Sequence, residues 1–251
     1  MRPYSPTIRA LKMRARIVSA FVPLKGMRHI DPHAYAANAR AMVEHVPHQI
    51  FYDIFETLWL YRWLDAAEWL TFPPATPAAP DRYPTPQHFV NSNIVQHNRT
   101  TWLMQAAEIY PDDDIFIWLD YGLLKQGDFT GKRIEAKHIP TFVEAVERYY
   151  KAGHRDIPFP GISSIEPIQD RGNCWRFCGS THIIPRWHLE DIHRAYRHAC
   201  CNFIARTRTV PLDLPIWATV EKTNPRLPYR WYQAEYDYTQ LANFPGPEMI
   251  T

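Results

Sequence analysis

Glycine is scarce in this chain, with 9 among 251 residues against 23 prolines. Phosphate-cradling loops need glycines at fixed offsets, and no G-x-G-x-x-G occurs. The nearest approach to a P-loop, Gly127-Asp-Phe-Thr-Gly131-Lys132-Arg133, is one spacer short and lacks the Ser or Thr that would ligate magnesium. These absences argue against a P-loop NTPase and against a glycine-fingerprint dinucleotide enzyme. Long apolar runs are missing as well. None approaches the roughly 18 residues of a membrane span, and residues 1–16 lack the apolar centre of a secretion signal. Cysteine is sparse, and Cys174, Cys178, Cys200 and Cys201 contain no C-x-x-C pair. Cys174, Cys178, His182 and His188 match no familiar zinc spacing, so reduced structural thiols are expected. H-x-H and H-E-x-x-H are absent, which argues against a metal hydrolase. The expectation is a soluble, cytoplasmic chain.

What is present is apolar and aromatic material, 46% hydrophobic and 14% aromatic, enough for one substantial core and too rich in rings for disorder. The net charge of +2 does not by itself advertise nucleic acid. Its distribution is uneven. Arg2, Arg9, Lys12, Arg14 and Arg16 occupy residues 1–16 without an acid, and Arg194, Arg197, Arg206 and Arg208 do the same in 193–208. A solvated extension and a solvated helix face account for both; contact with a polyanion is the alternative. Residues 1–16 read as a basic extension and 17–251 as one domain.

Short apolar runs alternate with helix-period segments, the pattern of an α/β fold. Strands are expected at Ile17–Val22, at His48–Asp53, at Ile115–Asp120 and, with a glycine interruption, at Trp175–Ile184, with Leu70–Phe72 a further candidate. Helices are expected from Asp31-Pro32 to about Val46, over Glu56–Leu70, Arg99–Tyr110, Pro140–Ala152 and Leu189–Phe203. Residues 73–86 carry six prolines and read as a surface loop. The Trp- and Tyr-rich remainder reads as irregular or short-stranded.

The strongest local signal is Phe116-Ile-Trp-Leu-Asp120-Tyr-Gly122. A continuous apolar run belongs to a strand buried on both faces, as in the middle of a parallel sheet. A carboxylate at its carboxyl end emerges where open α/β sheets bind ligands, and it can ligate a cation bridging a diphosphate. The alternative is an Asp that caps the following turn.

Together with Arg99-Thr-Thr-Trp-Leu-Met-Gln-Ala-Ala107 and the Pro111-Asp112 turn, Trp118-Leu-Asp-Tyr-Gly122 resembles nucleotide-sugar glycosyltransferases of the GT-A fold. It is similar in particular to a bacterial group from lipopolysaccharide loci, and enzymes of phage-type DNA modification share the chemistry. The resemblance implies a GT-A-like, mostly parallel sheet flanked by helices, with an irregular aromatic C-terminal segment. It further implies that Phe21, Val22 and Pro23 lie against the nucleotide base, with Asp53 reading its edge. Arg99 would face the diphosphate or sugar, Tyr121 would join the donor site, and Gly179-Ser180 would let the sugar lie on backbone. Asp120 corresponds to the metal-proximal position of the family's D-x-D element. One aspartate stands here where two are usual, while Asp112–Asp114 sits at the other end of the strand. The implied cofactors are a UDP-linked sugar donor and a divalent cation, Mn or Mg.

The transfer needs an activated acceptor hydroxyl. Glu190, Asp191, Asp213 and Glu221 are candidate bases, and Asp213, after a proline and near Trp217, is preferred. The first two open a helix and equally suit its dipole. Trp217 and the ring-rich Tyr229–Tyr238 segment, with Trp231 and Tyr232, offer stacking surfaces for an acceptor or else dock on the core. Asp237 or His182 could furnish a late metal ligand. The acceptor could be a saccharide or a hydroxymethylated pyrimidine in DNA, the latter flipped from the duplex. The reading from a different class is a non-catalytic nucleic-acid or protein interaction domain, docking through the proline-rich loop.

Overall fold

A computed structural model describes residues 13–24, 32–70, 85–121, 123–125, 132–161 and 177–244. Along the chain run β1 (Ala15–Phe21), α1 (Pro32–Val43), β2 (His48–Tyr52), α2 (Trp59–Ala66), α3 (Pro86–Gln96), α4 (Arg99–Ile109) and β3 (Ile115–Leu119). There follow α5 (His138–Lys151), β4 (Ile157–Gly161), β5 (Thr181–Pro185), α6 (Arg186–Thr207), α7 (Asp213–Thr223), β6 (Tyr229–Gln233) and α8 (Thr239–Ala242). Four strands form one sheet in the order β2-β1-β3-β5, and β4 pairs with β6 in a second. β1 is parallel to both β2 and β3, whereas β5 lies antiparallel to β3. The chain is thus a mixed α/β fold with a mostly parallel central sheet between helices.

Side-chain alternation along the strands divides the apolar residues between two cores. Val18, Phe116, Trp118 and Ile184 face the layer that holds α2, α3, α4, α6 and α7. Ile17, Ile115, Ile117, Leu119 and Ile183 face the other way, onto Met42 and Val43 of α1 and Ile139, Phe142 and Val146 of α5. Every residue of β3 is buried, as a strand between two neighbours and two helical layers must be. Each such Ile, Leu or Phe contributes about 1.5–3 kcal/mol on burial.

Several expectations need correction. The helix expected over Glu56–Leu70 is broken into a 3-10 turn at Phe55–Thr57 and α2, and it ends before Glu68, whose φ is 59°. Pro86 is not loop but the first residue of α3, with Thr85 accepting a bond from the His88 N–H at 3.3 Å. α3 hides its helical period because one of its buried positions is Asn93. β4 is spelled Ile-Pro-Phe-Pro-Gly, and two prolines make a poor strand signal. Among the described residues its one strand partner is β6, and on the other side, where the Pro160 carbonyl accepts the Cys178 N–H, the missing N–H groups cost nothing. Asp31, Phe72, residues 73–84, Cys174 and Trp175 lie outside the described residues.

Polar contacts made by the part-buried Arg186 and the buried His97 tie the helical layer together. Arg186, the first residue of α6, donates to the carbonyls of Ala107, Tyr110 and Asp113 and lies over the Phe116 ring at 5.1 Å. It closes the carboxyl end of α4, where helical carbonyls have no partner of their own. His97, fully buried between α3 and α4, donates from Nε2 to the Pro211 carbonyl at 3.0 Å and accepts the Tyr196 hydroxyl at Nδ1, 2.8 Å away. Burial, helped by Arg99 and opposed by the bond to Pro211, pushes its pKa down to about 4.

Arg186→Ala removes three charge-assisted bonds and should lower unfolding free energy by roughly 2–4 kcal/mol; urea denaturation checks it, with Arg186→Lys recovering less than half. His97 is neutral in the fold but protonates with its ordinary pKa near 6.5 when unfolded. Its contribution is therefore complete above pH 6.5 and lost as pH falls toward 4, on the order of 3 kcal/mol across that window. Unfolding midpoints measured from pH 7.5 to 4 should fall less steeply in His97→Gln than in the native chain.

Candidate functional site

In the strand order β2-β1-β3, the connection leaving β1 goes to one side and the chain returns to β3 on the other. In open α/β sheets such a reversal leaves a crevice at the carboxyl ends of the two strands concerned, here β1 and β3, and that is the usual ligand position. Phe21 ends β1 and Asp120-Tyr121 follows β3, so both meet at the crevice. The Phe21 and Tyr121 rings lie 5.0 Å apart, with Tyr52 from the end of β2 edge-on at 6.5 Å. Tyr121 and Val22 are buried, whereas Pro23 and Tyr52 are exposed. The exposure of Tyr52, at 65%, leaves an aromatic face open to a planar ligand.

The polar centre is built on Arg99. Strand residues two apart share a face, so Trp118 and Asp120 both project toward α4. On α4, Arg99 and Trp102 are three apart and likewise adjacent. The two pairs therefore meet rank to rank. Nη2 of Arg99 lies 3.1 and 3.2 Å from the two carboxylate oxygens of Asp120, and Nη1 pairs with Oδ2 of Asp213 at the start of α7. The Arg99 and Asp213 side chains are only 6% and 4% exposed, but Asp120 keeps 29% of its surface open. Burial works against charge on Arg99, yet the two carboxylates outweigh it and hold the guanidinium above its ordinary pKa. Burial likewise pushes both carboxyls up, and the opposing pull of Arg99 does not cancel it.

Gly179 packs against this pair. A Cβ there would stand 3.0 Å from Oδ2 of Asp213 and 3.3 Å from Nη1 of Arg99. Its missing side chain thus makes room for the ion pair, where the sequence suggested room for a sugar. Its N–H approaches the Tyr236 hydroxyl at 3.4 Å. Tyr236, which sequence reasoning did not single out from its ring-rich segment, is half-buried and comes to the centre from beyond β6. Nothing in the spacing of that segment distinguishes it from its neighbours.

The remaining expected residues divide between crevice and core. Asp53 lies at the crevice, where Oδ2 accepts Trp102 Nε1 at 3.0 Å and Oδ1 accepts the Ile54 N–H and the Thr57 hydroxyl. Ser180 is buried and donates to Oε1 of Gln240 at 2.6 Å, away from any open surface. Trp217 and Tyr232 are core residues, 1% and 4% exposed, and Trp231 is half-buried on β6. His182 lies among the rings of Phe159 and Trp217, and among the described residues neither ring nitrogen has a hydrogen-bond partner. Asp237 turns inward, accepting the Thr239 N–H at 2.8 Å. Glu190 and Asp191 lie on the outer face of α6, where Asp191 pairs with Arg194. Arg197 and Arg208 cover the rings of Trp59 and Trp69.

Among the described residues, no three His, Cys, Asp or Glu side chains converge as a metal cage. A divalent ion in the crevice would find Asp120 as its protein ligand, with phosphate and water oxygens completing the shell, a set that suits magnesium. Removing Arg99, the cation of this centre among the described residues, should cost more than removing one of its two anions. Arg99→Met leaves the buried Asp213 and the part-open Asp120 facing each other, with a loss of about 3–5 kcal/mol. Asp213→Asn leaves a one-to-one pair with Asp120 and should cost clearly less in the same urea titration; equal losses would refute this ordering.

No protein-family model matches the sequence, and no curated protein matches it. Among solved structures the chain is similar to one described as a glycosyltransferase involved in the glycosylation of the major capsid of PBCV-1. The two share 14% identity over 90% of this chain and 82% of that one, with a TM-score of 0.46.

Proposed function

We propose that this chain is a glycosyltransferase that moves a sugar from a nucleotide-sugar donor, UDP-linked, to an acceptor hydroxyl. The observation that carries the reading is a partly open carboxylate, Asp120, at the switch point of the sheet and beside a stacking face. In the transfer, the acceptor oxygen forms a bond to the anomeric carbon as the bond from that carbon to the diphosphate oxygen breaks. The nucleoside diphosphate leaves with the bonding pair. The acceptor's proton passes to a carboxylate in an inverting course, or to the departing diphosphate in a retaining one. Phe21, Tyr121 and the exposed Tyr52 offer the base a surface, with Val22 and Pro23 beneath it.

The electrostatics support a role for a cation. Asp120 and Asp213 against Arg99 leave one negative charge in excess. A diphosphate placed beside that centre needs a counter-charge, because Arg99 is already committed to both carboxylates. Mn or Mg held by Asp120 would supply it and stabilise charge on the leaving group. Asp213, enclosed behind Arg99, acts by holding the guanidinium in place.

The acceptor is a saccharide or a hydroxymethylated pyrimidine in DNA. Duplex affinity that falls steeply between 50 and 200 mM salt, by about 10³ or more, supports the DNA acceptor; salt-insensitive turnover on a glycan supports the saccharide.

A thermal-shift panel of UDP, GDP, CMP and their sugars, with and without Mn or Mg, tests donor and cation together. A UDP-sugar should raise the unfolding midpoint, and chelation should remove most of the rise. Silence across the whole panel would defeat the transferase reading. Asp120→Asn should lower turnover by at least about 100-fold while its unfolding midpoint stays within a few degrees of the native chain.

A further inference from the structure

Two stacked indoles link the strand-end carboxylates at this crevice. Trp102 on α4 and Trp118 on β3 lie ring over ring, with centroids 5.6 Å apart and planes within 9°. Each directs its N–H to a different aspartate. Trp102 Nε1 donates to Oδ2 of Asp53 at 3.0 Å, and Trp118 Nε1 donates to Oδ1 of Asp120 at 2.7 Å. The two acceptors differ in kind. Asp53 takes three neutral donors, whereas Asp120 shares its oxygens with a guanidinium and keeps 29% of its side chain open. The Trp118 ring itself cannot turn. It is 3% exposed, stacked on Trp102, and lies 5.8 Å from the Arg99 guanidinium carbon.

We propose that Trp118 is the positioning residue of the site, its clamped indole N–H pinning one oxygen of Asp120 so that the carboxylate meets its ligand in a single rotamer. The proposal rests on the reading of Asp120 as the residue that contacts the donor. An aspartate at the end of a strand has χ1 and χ2 free unless something holds them. Arg99 alone does not. Its Nη2 lies almost equidistant from the two oxygens, at 3.1 and 3.2 Å, so it attracts the group without distinguishing one oxygen from the other. The short indole bond breaks that symmetry. A tryptophan two residues before the aspartate is placed for this by the strand pleat, and α4 supplies the second ring that prevents rotation. Phenylalanine at 118 would fill most of the same space and stack, but carries no donor. The contribution of shape is thus separable from that of the hydrogen bond.

Two measurements test the proposal. In a ¹⁵N–¹H spectrum of the full chain, the indole resonance of Trp118 should move on Asp120→Asn and stay in place on Asp53→Asn, while that of Trp102 behaves in the opposite way. In steady-state transfer, Trp118→Phe should lower kcat about tenfold or more with the donor KM within about twofold, because rotamer loss weakens the transition-state contact more than ground-state binding. A Trp118 resonance indifferent to Asp120→Asn overturns the proposal, as does native kcat in a folded Trp118→Phe. If that variant does not fold, the indole spectrum decides, since it uses the native tryptophan. If the native chain transfers no sugar, the transferase reading falls alone and the indole shifts still establish or refute the contact.

Discussion

A guanidinium buried to 5% of its surface must be neutralised where it lies, and much of this molecule is arranged around that need at Arg99. Its two carboxylates arrive from opposite directions, Asp120 from the end of β3 and Asp213 from the first residue of α7. The turn of chain carrying Arg99 is itself anchored in three places. His97 reaches Tyr196 and Pro211, the His97 carbonyl accepts Trp59 Nε1, and Asn98 Oδ1 accepts the Trp59 N–H. The α3–α4 junction, the start of α2, the middle of α6 and the approach to α7 are thereby fixed relative to the end of the central strand. A charge this expensive to bury is retained where its position matters, and here the position is the floor of the crevice.

The alternation of apolar runs and helical periods was enough to place β1, β2, β3, α4, α5 and α6, because each carries its own local signal. β3 announced both its burial and its open end, since five apolar residues run directly into Asp120. What stayed hidden was non-local. Asp213 reads as a loop acid after Pro211-Leu212, and only its contact with Arg99, 114 residues away, makes it part of a buried triad. Proline concealed β4, and Asn93 diluted the helical pattern of α3. Asp53 and Asp120 look alike as carboxylates that end strands. They differ in their partners, Asp53 taking Trp102, Ile54 and Thr57 and Asp120 taking Trp118 and Arg99. Trp217 and Tyr232 read as stacking surfaces for the same reason. Ring content is visible in a sequence, but the side from which a ring is covered is not.

The two layers of the helical face answer different requirements. Away from the crevice, Arg186 collects the carbonyls at the end of α4, and Arg16 pairs with Asp113 beneath the Tyr110 ring. These contacts satisfy helix and strand ends and set two guanidiniums against the one carboxylate of Asp113. At the crevice end the balance is reversed, with two acids for one base and one acid partly open. The same elements, α4 and β3, therefore carry a closed polar network at one end and an open one at the other. Polarity of this kind along a strand follows from where the chain reverses order in the sheet.

Gly179 shows what the scarcity of glycine means here. Bare backbone is used where the chain passes over the Arg99–Asp213 pair, and a Cβ there would crowd Oδ2 of Asp213 and the Leu214 side chain at 3.0 Å and Nη1 of Arg99 at 3.3 Å. Gly179 thus serves the ion pair. Among the described residues the crevice offers a partly open carboxylate, a guanidinium already engaged, and an aromatic face formed by Phe21, Tyr52 and Tyr121. An anionic donor brought to such a place is drawn by the rings at its base and resisted by the acids at its phosphates. Under the proposed transferase reading, specificity would rest on whatever neutralises that resistance, and a pinned Asp120 would determine where the neutralising charge can stand.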